Sequence, residues 1–151
     1  MLKSWMVVGG VAFAITMLSN IIRPSDVKWF RRLERPQWLT FEKLIPVIWT
    51  TVFICGGWSA YITWETNQSW KWMAAYMLLE LVTIAFTPVL FWSHSLKIAS
   101  AIGGSGFVIC LLLALSILKV SVWAAVLLIP YLLWSPIGTY TTWEMDKLNA
   151  D

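Results

Sequence analysis

The chain has 151 residues, 59% of them hydrophobic, and a formal charge of only +3; its mean hydropathy is +0.71. An apolar content this high exceeds what a soluble core of that size can hide, so lipid must cover the excess. The small charge speaks against nucleic acid as a partner, and Cys55 and Cys110, both inside apolar runs, imply neither a disulfide framework nor a metal site.

A helix needs about 20 apolar residues to cross the hydrocarbon core. Five such segments occur, which predicts an all-α integral membrane protein, a single five-helix transmembrane domain over residues 1–151. The first span covers about 2–22. Its apolar run after Lys3 is long for the core of a signal peptide and no small-x-small cleavage site follows, so an uncleaved helix is expected. Arg23-Pro24 ends it, because proline disfavours helical geometry in the residue before it.

Residues 23–43 form the only long polar segment, a basic loop. Arg23, Lys28, Arg31, Arg32, Arg35 and Lys43, with three acids and two tryptophans, give it the composition of an interfacial connector. It is longer than a turn between adjacent helices requires, and long ordered loops are often functional. The second span covers about 44–64 and the third about 70–93; the short polar turn between them makes them antiparallel neighbours. A break at residues 93–97 precedes the fourth span, about 98–118. Lys119-Val120-Ser121 precedes the fifth, about 122–143, and residues 144–151 form a polar tail.

With five spans the termini lie on opposite sides. Lys3, Lys71 and Lys119 fall on one face, whereas the six basic residues of the connector, Lys97 and Lys147 fall on the other. Eight against three places the connector and the C-terminus in the cytoplasm and the N-terminus outside. Gly103, Gly104 and Gly106 resemble a phosphate loop only superficially, for neither the lysine nor the preceding strand is present; they read as close helix packing. Asn67-Gln68-Ser69 matches a glycosylation acceptor but lies close to two spans.

Twelve tryptophans are many for this length. Trp5, Trp64, Trp70, Trp72, Trp123 and Trp143 fit an aromatic belt at the membrane surfaces. Trp29 and Trp38 lie in the connector, and Trp49, Trp58, Trp92 and Trp134 within spans or one turn from their ends. Such rings either line a cavity that stacks on a flat apolar ligand or simply fill space between helices. Glu80, the one acid in the middle of a span, is either a functional position or a protonated side chain bonded to a neighbouring helix. His94, the only histidine, reads as an interfacial polar group rather than a haem ligand. No second histidine, no pair of intramembrane acids and no Cys/His spacing is present, so neither a catalytic set nor a metal site can be assembled, and an enzyme is not expected.

Leu33-Glu34-Arg35-Pro36-Gln37-Trp38, followed by Val47-Ile48-Trp49-Thr50-Thr51-Val52-Phe53, resembles the tryptophan-rich sensory protein/translocator protein family (TspO/MBR, the peripheral benzodiazepine receptor family), including the spacing of eleven between Trp38 and Trp49. Pro88-Val89-Leu90-Phe91-Trp92 and Pro130-Tyr131-Leu132-Leu133-Trp134 are similar to that family's third- and fifth-helix motifs, so the resemblance covers essentially the whole chain. It departs at Thr40-Phe41 (Pro-Pro in the family), Phe53 (Tyr), Ile84-Ala85 (Asn-Trp) and Thr142 (Asn), positions that line the family's ligand cavity, and these replacements change what ligand can be oriented there. The family's cholesterol motif is absent, since six residues separate Tyr140 from Lys147.

The resemblance implies a five-helix bundle with the basic connector over the cytoplasmic mouth of a cavity. It further implies binding, and transport or sensing, of porphyrins or similar flat hydrophobic ligands, with no obligatory cofactor and with porphyrin or haem as the ligand. Trp38, Trp49, Phe53, Ile84, Pro88, Trp134 and Gly138 are the expected ligand-binding residues, and Glu80 a polar site facing the cavity or a helix interface. Relatives of this type form homodimers, which the small residues Ala74 and Ala75 would permit. The alternative is a ligand-free scaffold that keeps the fold and serves other membrane proteins.

Overall fold

The computed structural model describes residues 23–150, together with Met6, Gly9 and Gly10; the first expected span, 2–22, otherwise lies outside the described residues. Over 23–150 the chain is all helical: α1 Pro24–Arg32, a 3-10 turn Glu42–Leu44, α2 Ile45–Thr66, α3 Trp70–Ser93, α4 Leu96–Ile117, α5 Val122–Val126 and α6 Ile129–Leu148. Among the described residues four segments are long and apolar enough to cross a membrane: Glu42–Thr66, Trp70–Ser93, Leu96–Ile117 and Val122–Leu148.

The connector differs from a plain loop, because residues 24–32 form a helix. Pro24 stands in its first turn, where a missing N–H costs nothing, and Asp26 favours the positive end of the helix dipole. Positions 26, 29, 30 and 33 fall on one face, and Trp29, Phe30 and Leu33 pack against buried Leu90, Leu96, Ala99 and Met145. Arg35 ends the helix: its guanidinium donates to the carbonyls of Phe30 (2.9 Å) and Leu33 (2.6 Å), lies 4.8 Å over the Phe30 ring and pairs with Glu42 at 3.3 Å. A fork of five donors suits that task.

The break between the third and fourth spans is only His94 and Ser95. His94 takes a left-handed backbone (φ 51°) that stops α3, and the Ser95 hydroxyl accepts from the Ile98 N–H, starting α4 two residues before the expected position. The fifth span is interrupted after α5. Pro130 has no N–H to give the Val126 carbonyl, so the ladder lapses at Leu127–Leu128 before α6 begins. The expected polar tail is helical as far as Leu148, held by Met145, which is buried against Leu90 and Leu96.

α4 packs most closely against α6 and α3. Its small residues allow this. A Cβ at Gly103 would meet the Thr139 hydroxyl at 2.6 Å and one at Gly106 would collide with the Tyr131 hydroxyl, whereas nothing lies within 4 Å of Gly104. At the far end of the bundle, Ser59, Thr63 and Tyr76 form a fully buried hydroxyl cluster. The Ser59 hydroxyl donates to the Ala124 carbonyl at 2.6 Å, so the Tyr76 hydroxyl, 2.7 Å away, donates to Ser59. That cluster ties α2, α3 and α5 together. Ala74 is exposed on the outer surface, while Ala75 packs against the core.

Candidate functional site

Beneath the connector, between α2, α3, α4 and α6, lies a cavity of about 170 Å³. Four aromatic side chains, from the connector, α2 and α6, meet edge to face at or beside its wall. Trp49 lies 6.5 Å from Trp134 and 6.4 Å from Tyr131, and Phe41 lies 6.3 Å from Trp134, with interplanar angles of 74–86°. Such T-shaped contacts fix ring orientation through the ring quadrupoles. Phe30, Phe86 and Met145 complete an almost wholly apolar lining.

Within it nearly every hydroxyl is committed. Thr83 donates to the Leu79 carbonyl (2.7 Å), so Tyr131, at 2.8 Å, gives its proton to Thr83. Ser135, Thr141 and Thr142 donate to the carbonyls of Gly103, Ile137 and Gly138. Two donors remain. Trp134 Nε1 and Thr139 Oγ1 are buried and have no partner among the described residues. Gly138 lies beside the first one: a Cβ at 138 would sit 3.5 Å from Trp134 Nε1, and a longer side chain would lie against that edge.

A second, larger groove of about 590 Å³ runs between α2 and α3. Trp49, Thr83, Phe86 and Tyr131 line both spaces, so these side chains form the partition between them. Glu80 lines the larger groove, half-buried and without a hydrogen-bond or ion-pair partner among the described residues.

The expected site residues therefore separate. Trp134 and Gly138 line the smaller cavity, Phe53 and Ile84 the larger groove, and Trp49 both. Pro88 lies inside α3 and lines neither. Trp38 also lines neither: it stacks on Tyr140 at 5.9 Å and donates from Nε1 to Glu144 at 2.7 Å, fastening the connector to α6 from outside. Trp58 and Trp92 are 58% exposed and face outward, leaving Trp49 and Trp134 as the inward pair of these four. His94 lies outside both spaces, stacked on Trp29 at 4.5 Å with Nε2 2.9 Å from Asp26. Among the described residues no group of three metal-ligating side chains occurs. Tyr131 stood in a motif that pointed here; Thr83 and Thr139 carried no sequence signal, since a threonine inside a helix usually bonds its own backbone.

The connector is tied at three places. Besides Asp26 with His94 and Trp38 with Glu144, the Asn149 amide clamps the backbone of Glu34, accepting from its N–H (2.9 Å) and donating to its carbonyl (3.1 Å). Losing those two bonds frees the connector locally. Asn149→Ala is expected to speed amide hydrogen exchange at Glu34 about tenfold, on the order of 1–1.5 kcal/mol, with exchange in the core of α4 unchanged; equal rates at Glu34 in both proteins would show the clamp to be idle.

The sequence profile of the TspO/MBR family matches residues 6–148. The chain is similar to the tryptophan-rich protein TspO of Bacillus cereus, 31% identical over 162 aligned residues that span 99% of each chain. It is also similar to a tryptophan-rich sensory protein of Cereibacter sphaeroides, 23% identical over 85% of this chain and 80% of that one. Translocator protein 2 of Mus musculus is 27% identical over 72% of this chain and 70% of its own.

Proposed function

Because the chain belongs to the TspO/MBR family, we propose that this multi-pass membrane protein binds a flat, largely apolar ligand of the tetrapyrrole class and carries or senses it rather than transforming it. One observation bears the weight: Trp134 and Thr139 line a mainly apolar cavity, and their buried donors, Trp134 Nε1 and Thr139 Oγ1, have no acceptor among the described residues. An unmet buried donor costs about 1–3 kcal/mol, which a ligand carbonyl, carboxylate or ring nitrogen relieves.

The smaller cavity lies below the roughly 300–1,000 Å³ of drug-sized sites, so it takes an acceptor-bearing edge, and the body of the ligand reaches Trp49 in the larger groove once the side chains of the partition move aside. Relatives named as sensory and translocator proteins support sensing or carriage. The engagement of His94 with Asp26, away from both spaces, supports binding over catalysis. The eight-to-three distribution of basic residues supports a cytoplasmic connector.

Titrating the purified protein with protoporphyrin IX, with tryptophan fluorescence as readout, is expected to give saturable quenching. Trp134→Phe keeps an aromatic ring and loses the N–H, and is expected to weaken apparent affinity about tenfold, the worth of one hydrogen bond. Unsaturable quenching that is the same in both proteins would instead favour a ligand-free scaffold.

A further inference from the structure

The outer face of α1 has no partner among the described residues. Lys28, Arg31 and Arg32, spaced i, i+3, i+4, share one face of the helix and all are exposed, as is Arg23 just before it. The inner face is spent on the bundle: Asp26 is buried and paired with His94, Trp29 stacks on His94, and the Phe30 and Phe91 rings meet at 5.5 Å. None of the three cations joins an ion pair among the described residues. Glu34, three residues beyond Arg31, is exposed and makes no ion pair with it, its backbone being held by Asn149.

The height of this face is fixed by what lies under it. Phe91 and Trp92 belong to the last turn of membrane-spanning α3, Trp92 is largely exposed, and α1 rests on that end of the helix. Three unpaired cations thus stand just past the hydrocarbon boundary, at the depth of phospholipid headgroups. We propose that the Lys28/Arg31/Arg32 face of α1 is a docking surface for anionic phospholipid headgroups of the surrounding leaflet. Opposite charge attracts there within a Debye length of about 8–10 Å, and each cation is worth roughly a fivefold gain in affinity for an anionic surface.

The test compares lipid retention after purification into mixed micelles of phosphatidylcholine and phosphatidylglycerol, counted by mass spectrometry. Wild type is expected to retain phosphatidylglycerol in preference, the K28Q/R31Q/R32Q protein to lose that preference at least tenfold, and K71Q/K119Q, which removes two charges from the opposite end of the bundle, to keep it. K28R/R31K/R32K is expected to bind as wild type does, and 500 mM salt to abolish the wild-type preference even if the triple glutamine protein misfolds. Equal retention of the two lipids by wild type, a preference that survives high salt, or an equal loss in K71Q/K119Q would overturn the proposal.

Discussion

Gly106→Leu is expected to prevent assembly of the bundle, giving an aggregated or proteolysed product where wild type elutes as a single species in detergent. A Cβ at this position collides with the Tyr131 hydroxyl, and Tyr131 cannot step aside freely. Its proton is given to Thr83 across the gap between α6 and α3, so moving it breaks that bond and disturbs the partition between the two spaces. Overpacking costs about 1–3 kcal/mol and a lost buried bond about another 1. That is a large share of the about 5–15 kcal/mol that holds a domain together. Gly104→Leu, two residues away with nothing within 4 Å, is expected to elute and melt as wild type does. If both proteins behave alike, close approach of α4 to α6 is not what the glycines provide.

The second large effect is expected at Ser59, which is fully buried. Ser59→Ala leaves the Ala124 carbonyl unpaired and removes the nearer of the two acceptors of Tyr76, leaving Thr63 Oγ1 at 3.1 Å, a loss of about 1–2 kcal/mol in thermal unfolding, within the range found for interhelical bonds in membranes. Ser59→Leu adds overpacking and is expected to lose about 3 kcal/mol or more. The α5 segment is the first part to loosen, because the bond through that carbonyl is part of its hold on α2. Unchanged melting of Ser59→Ala would mean that the cluster contributes nothing net.

How much of this was legible in the sequence differs by level. The apolar runs disclosed the spans because span length is set by the bilayer, and the paired motifs around Trp38, Trp49 and Trp134 disclosed the family. Which side of each span looks inward was not legible. α2, α3 and α4 carry almost no amphipathic asymmetry, since lipid tails are as apolar as a core and no polar stripe marks the outer face. Trp58 and Trp134 therefore looked equivalent, although one faces outward and the other the cavity.

Helix α1 was legible in principle. Pro24 at its start and apolar residues at 27, 29, 30 and 33 make an amphipathic turn signal, which the dense basic charge of the connector masked. The role of Trp38 was not, because its partner Glu144 lies 106 residues away and read as the start of a polar tail. Thr139 stood out only once every other hydroxyl in the cavity had been assigned to an acceptor.

The most direct measurement is photo-cross-linking with a diazirine-bearing porphyrin, with adducts located by peptide mass spectrometry. Adducts on Trp49, Trp134 and Met145, lost when Gly138→Leu covers the indole edge, are the predicted result. Adducts confined to the outward-facing Trp58, Trp92 and Trp123 would contradict an internal ligand site.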